Sequence, residues 1–149
     1  MYKHILLPVD GSELSRKAET ECFAFAKAIG AQVTALHVVS HFHLQLVPWG
    51  APKSINVTIE KEHEEEAKQG ATKMLSELEA RARSAGVKCE TLVVVGDNPY
   101  EEIIDNAAKR QCDLIMMSSH GHRGLNAVLL GSETVKVLTH SKIPVLVVR

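Results

Sequence analysis

Short, uninterrupted apolar runs alternate along this chain with longer stretches in which apolar residues return every three or four positions. The first run, Ile5 to Val9, reads as a strand buried on both faces, because a strand with one wet face would alternate instead. Asp10-Gly11-Ser12 follows as a turn and helix start. Leu14, Ala18, Cys22, Phe25, Ala26 and Ile29 then mark one face of a helix, closed by Gly30. Val33 to Val39 is a second buried strand. Ser40 to Thr58 has no clear period, carries Pro48, Trp49, Gly50 and Pro52, and reads as a long loop.

A long helix is predicted to begin near Ile59. Its early part, Glu60 to Glu66, is charged and solvated; its later face carries Ala67, Ala71, Met74, Leu75, Leu78, Ala82 and Ala85 up to Gly86. Thr91 to Val95 is the third strand. Asn98-Pro99-Tyr100-Glu101 is a helix start, with Asn98 as cap, Pro99 at the first helical position and Glu101 completing a capping box. Asp113 to Met117 is the fourth strand, Ser118 to Leu130 a loop rich in Ser, His and Gly, and Gly131-Ser132 opens the last helix. Pro144 to Val148 is the fifth strand. Strands separated by helices must run parallel through right-handed crossovers, so the pattern predicts an α/β fold: an open, doubly wound parallel sheet with helices on both faces.

Composition narrows the function. With 149 residues the chain fits one domain. A net charge of -1 gives no electrostatic footprint for nucleic acid. Cys22, Cys89 and Cys112 are far apart and odd in number, so they read as buried free thiols of a reducing compartment and not as a metal or redox set. No apolar stretch approaches the ~18 residues of a membrane span, and no signal peptide opens the chain, so a cytoplasmic protein is expected.

In a doubly wound sheet ligands bind beyond the carboxyl ends of the strands, where the strand order reverses. Two segments are placed there: Pro8-Val9-Asp10-Gly11-Ser12, and Ser118 through Gly131-Ser132. In the second, Gly121 and Gly131 allow close backbone approach, and Ser132 stands beside the free amides of a helix start, an anion-binding arrangement. His120, His122 and Arg123 add donors or charge. A glycine-rich surface turn with an ordinary helix cap fits the same residues. His37, His41 and His43 lack a carboxylate or cysteine partner nearby, so no metal site is expected. Ser119 and His120 are adjacent only in sequence; there is no Gly-x-Ser-x-Gly elbow and no Walker A run.

Ser118-Ser119-His120-Gly121, followed after nine residues by Gly131-Ser132, resembles the universal stress protein pattern Gly-x2-Gly-x9-Gly-[Ser/Thr], with Ser118 in place of the first glycine. The opening Ile5 to Ser12 and the ending Ile143 to Val148 are also similar to that family, and the resemblance covers the whole chain, residues 1–149, as a single domain. It implies a Rossmann-like, adenine nucleotide alpha hydrolase-like fold with five strands in the order 3-2-1-4-5. It also implies ATP or AMP binding, with Mg²⁺ or Mn²⁺ accompanying the phosphates. On that resemblance Asp10 sits near the ribose or adenine end, Pro8 and Val9 line the base pocket, and Val38 offers backbone groups to the adenine edge. Gly121, Gly131, Ser132, Glu133 and Thr134 surround the phosphates, and Ser118 fills the departed glycine position. There, a serine disfavours a left-handed backbone but brings a hydroxyl able to bond phosphate or ribose. The last strand, Pro144 to Val148, is an apolar edge open to a second copy, and the resemblance implies a homodimer paired through it. The expected role is regulatory, in the stress response through an unknown protein partner, without a catalytic centre beyond a weak ATPase activity. The alternatives are a homodimeric scaffold that binds no nucleotide, favoured by Ser118, and a slow nucleotide hydrolase.

Overall fold

The computed structural model describes residues 1–42, 53–121 and 129–149. His43, Pro48, Trp49, Gly50, Pro52, His122, Arg123 and Gly124 lie outside the described residues. Five strands, β1 (His4–Pro8), β2 (Gln32–Val39), β3 (Cys89–Val95), β4 (Leu114–Ser118) and β5 (Val145–Val148), alternate with four helices, α1 (Glu13–Ile29), α2 (Lys53–Ala85), α3 (Pro99–Lys109) and α4 (Ser132–His140). Every strand pairing is parallel, and the sheet order is β3-β2-β1-β4-β5.

Two apolar layers explain the unbroken strand runs. Successive side chains on a strand point to opposite faces. Ile5 and Leu7 of β1 enter a core with Cys22 and Ala26 of α1 and Leu75 and Leu78 of α2. Leu6, between them, enters a second core with Ile103 and Ala107 of α3 and Val137 of α4. With helices on both faces, β1 has no wet side and so no polar alternation. Gly30 and Gly86 end α1 and α2 with φ of 70° and 78°, in the left-handed region glycine tolerates.

Three expectations change. First, α2 begins at Lys53, not near Ile59. The early helix is held from outside, where Phe42 after β2 stacks on His63 with ring centroids 4.4 Å apart. Ala67, placed on its apolar face by periodicity, is exposed. Second, Asn98 precedes α3 but makes no side-chain cap; its amide donates to Glu101 Oε2 at 3.1 Å. The cap comes from across the molecule, where Glu133 Oε2 accepts from the Tyr100 backbone N–H at 3.0 Å. Third, Asp113 stands just outside β4, and its carboxylate accepts from the backbone N–H groups of Lys3 and His4 at 2.9–3.1 Å. Burial pushes this carboxyl up, but those backbone donors outweigh it and hold it below the usual carboxylate range.

Cys22 and Cys112 are buried and Cys89 half-buried, all three free. Burial pushes their thiols up, to about 12 for Cys22 and about 11 for the other two, which disfavours the reactive thiolate. Among the described residues, no helix is long and apolar enough to cross a membrane.

Candidate functional site at the switch of strand order

β1 runs to β2 on one side of the sheet and lies beside β4 on the other, so the order reverses between β1 and β4. At the carboxyl ends of these strands opens a cleft of about 460 Å³. All ten residues singled out from sequence line it: Pro8, Val9, Asp10, Val38, Ser118, Gly121, Gly131, Ser132, Glu133 and Thr134. Four chain segments meet there, the tips of β1, β2 and β4 and the start of α4.

The β1 tip is fixed by local bonds. Gly11 has φ 79°, and Asp10 Oδ1 accepts from Ser12 N–H at 2.9 Å. Ser12, not Asp10, caps α1, with its hydroxyl accepting from Ser15 N–H at 3.2 Å. Asp10 is therefore turned toward the cleft wall.

Each of the two glycines lets two protein segments close on each other. A Cβ on Gly121 would lie 2.4 Å from Asp10 Oδ2, so the missing side chain makes room for that carboxylate. A Cβ on Gly131 would lie 3.3 Å from both His120 Cα and Ser119 O. The Gly131 N–H donates to the same Ser119 carbonyl at 2.8 Å, and this bond draws the start of α4 against the end of β4.

Ser118 is the last residue of β4, buried and paired with Val148. Among the described residues the one non-glycine with positive φ is Gln111, so Ser118 adopts no left-handed backbone and the strain expected of it does not arise. Its hydroxyl donates to His120 O at 2.8 Å, and its carbonyl accepts from Thr134 Oγ1 at 3.1 Å. Ser119 Oγ and His120 Nδ1, adjacent in sequence, are also bonded, at 3.0 Å and buried. Among the described residues no carboxylate bonds His120, so the pair lacks the orienting third member of a hydrolytic triad.

Opposite this turn stands the α4 N-terminus. Gly131 is its N-cap, extended at φ -62° and ψ 150°, and supplies no side-chain cap. Helix geometry leaves the first amides, those of Ser132, Glu133 and Thr134, without partners inside the helix, and the partial positive charge of the helix end lies there. The Glu133 carboxylate does not oppose it directly, since one oxygen caps α3 and the other takes Lys136 Nζ at 2.8 Å. The carboxylate is held away from the amides that its own backbone contributes.

Sequence reasoning missed other wall residues: His37, Ser40, Asp97, Pro99 and Ile103 also line the cleft. The signal was positional, because the ends of β2 and β3 and the start of α3 share the rim with β1 and β4. His41 pairs with Asp97 at 3.1 Å. No group of three or more His, Cys, Asp or Glu residues able to hold a metal ion occurs among the described residues.

The chain matches the Universal stress protein family over residues 1–149. It is 34% identical to the universal stress protein MJ0577 of Methanocaldococcus jannaschii over 157 residues, covering all of this chain and 96% of that one. The solved structure of MJ0577 superposes with a TM-score of 0.83 over 99% of this chain and 96% of that one. UspA from Lactobacillus plantarum, 25% identical, gives 0.85 over 99% and 98%. An Archaeoglobus fulgidus universal stress protein solved in complex with dAMP shares the fold at 20% identity, with a TM-score of 0.63 over 99% and 98%. The chain belongs to the universal stress protein family.

Proposed function

We propose that this chain is a nucleotide-binding universal stress protein that takes ATP or AMP in the cleft between β1 and β4. It acts as one cytoplasmic domain over residues 1–149, with a regulatory role in the stress response and no catalytic centre of its own. The observation that carries the reading is the α4 N-terminus. Its uncapped amides and partial positive charge lie at a cleft that Pro8, Val9, Leu36 and Val38 also line. An anion site joined to an apolar slot matches the two chemistries of a nucleotide, phosphate and base. The Archaeoglobus fulgidus complex with dAMP makes such a ligand an occupant this fold accommodates.

Ser118 does not argue against this reading. Its backbone is extended, and its hydroxyl closes the turn onto His120 O. A Mg²⁺ or Mn²⁺ ion would rest mainly on phosphate oxygens, since such ions take one or two carboxylates plus substrate phosphates; Asp10 is the cleft-wall carboxylate beside Gly121. β5 is one of the two edge strands of the sheet, and we read it as the pairing edge of a homodimer, with nucleotide occupancy controlling a protein partner.

The test is mass spectrometry of nucleotide released on denaturing the purified protein, with calorimetric titration by ATP and AMP. Near-stoichiometric adenine nucleotide, or heat of binding lost in Gly131→Asp, supports the reading. The aspartate would set a carboxylate against the α4 amides and within 3.3 Å of backbone atoms at its Cβ. An empty protein with no heat of binding removes it, as does unchanged affinity in a folded Gly131→Asp variant.

A further inference from the structure

We propose that Glu133 reports occupancy of the cleft to α3: a phosphate on the α4 amides confines its carboxylate to the first turn of α3 and so tightens that turn. The inference rests on the nucleotide reading above. Two helices begin at this cleft, since Pro99 and Ser132 both line it. Glu133 takes part in both starts. Its backbone N–H is one of the first amides of α4, and its side chain crosses to α3, where Oε2 accepts from Tyr100 N–H at 3.0 Å.

The bonds of the first turn of α3 show why that contact matters. Pro99, at the first helical position, has no N–H. The N–H groups of Glu101 and Glu102 both donate to Asn98 O, at 3.0 and 3.2 Å. The Asn98 side chain caps nothing and donates to Glu101 Oε2. Tyr100 N–H remains, and its partner lies 33 positions away. Among the described residues it is the donor of this turn that is held from outside α3. The side chains around it are tied as well. Lys136 Nζ is 2.8 Å from Glu133 Oε1 and 5.3 Å from the Tyr100 ring centroid, and the Tyr100 hydroxyl donates to Glu101 Oε1 at 2.8 Å.

The Glu133 carboxylate has a second place to go. Gly131 gives α4 no side-chain cap, and a carboxylate in the first turn of a helix is favoured beside the amides of that turn. Without a ligand, the α4 amides and Tyr100 N–H compete for it. A bound phosphate takes the amides and repels a neighbouring carboxylate, which leaves the α3 contact. The ligand thus favours one of two arrangements of the same side chain, as any coupling between two places in a protein requires. Occupancy of the cleft is then expressed where α3 and α4 meet, at Tyr100, Glu101 and Lys136.

The experiment follows amide exchange by NMR in the full chain, without ligand and with saturating AMP or ATP, whichever binds tighter by calorimetry. In wild type the nucleotide should slow Tyr100 about 5- to 10-fold more than Glu101 and Glu102, a factor at the low end of common couplings. The two neighbours are the control, because stabilisation of the whole fold by a ligand acts on all three alike. In Glu133→Ala, Tyr100 should exchange faster than in wild type and lose its extra response at saturation. Glu133→Gln keeps an acceptor for Tyr100 N–H but no charge for a phosphate to repel. There the Tyr100 response should fall to within about twofold of its neighbours.

Equal slowing at the three amides in wild type overturns the inference and leaves the nucleotide reading intact. So does an undiminished Tyr100 response in either variant. The wild-type comparison decides alone should both variants fail to fold. No heat of binding with AMP or ATP overturns both the inference and the reading it rests on.

Discussion

Gly121 and Asp10 are 111 positions apart in sequence, yet the geometry makes the glycine a requirement of the aspartate. Gly121→Ala tests this. The backbone there does not have positive φ, so alanine meets no conformational barrier. Its Cβ, however, would sit 2.4 Å from Asp10 Oδ2, well inside contact distance. The carboxylate cannot simply rotate away, because its other oxygen holds Ser12 N–H at 2.9 Å. Relief requires an off-rotamer side chain, roughly 0.5–1.5 kcal/mol, and weakens a hydrogen bond worth about 0.5–1.5 kcal/mol. The clash should therefore cost Gly121→Ala about 1–3 kcal/mol, offset in part by the roughly 0.4–1 kcal/mol that losing a glycine contributes through the unfolded chain. Asp10→Ala alone loses the Ser12 bond, about 1 kcal/mol. In the double variant the clash is gone, and the loss of glycine flexibility in the unfolded chain favours folding by about 0.4–1 kcal/mol. The double variant should then be no less stable than Asp10→Ala, a coupling of about 1–3 kcal/mol between contacting sites. Urea unfolding of the four proteins, followed by circular dichroism, measures the cycle. Additive losses would refute the contact and the view that this glycine exists to admit Asp10.

Two further outcomes follow from other parts of the molecule. Asp113→Ala removes a carboxylate that accepts from the Lys3 and His4 amides and should cost about 1–3 kcal/mol at neutral pH. The Asp113 carboxyl lies below its usual range when folded, so its contribution is present above the unfolded value of about 3.9 and is lost as pH falls through the folded value. Denaturation midpoints of wild type and variant should converge in acid, and an undiminished gap there would exclude the charge as the cause. At the sheet edge, Pro144 O accepts from Ile115 of β4 and Val148 O from Ser119 just beyond it, so by the period of two Val145 and Val147 direct their backbone groups to the open side. Val147→Pro removes one outward N–H and leaves the β4 pairing intact, and light scattering should show a monomer; an undisturbed dimer would sink pairing through β5.

How far the fold could be read from the chain is clearest at β1. Ile5, Leu6 and Leu7 form an apolar run because two helical layers cover the sheet, and that run is visible without coordinates. The same periodicity failed at the start of α2. Residues 53–59 include β-branched types whose helix preference is weak, and yet the helix runs through them. Asn98 failed for its own reason. Its spacing to Glu101 is that of a capping box, but Glu133, 33 positions after the Tyr100 amide it caps, takes the donor instead. Local pattern predicts local bonds, and a tertiary competitor leaves no mark in the window where the pattern is read.

The site shows the same division at finer scale. That Pro8 to Asp10 share one cleft with Gly121 and with Gly131 to Thr134 follows from topology, since both segments follow the carboxyl ends of adjacent parallel strands. What the glycines do there does not follow. A glycine in a sequence marks a place where a side chain is unwelcome; it does not say what would be struck. Here the struck atoms are Asp10 Oδ2 at one position, and His120 Cα and Ser119 O at the other. Both glycines therefore build the wall, and what that wall presents to the cleft is the start of α4 with its amides. This is also why Ser118 is accommodated. The side chain at that position turns to His120 O and its carbonyl to Thr134, so its hydroxyl adds a bond to the turn that holds α4 against β4. Had Ser118 been required to hold a left-handed backbone, the same substitution would have opened that turn; in an extended strand residue it tightens it.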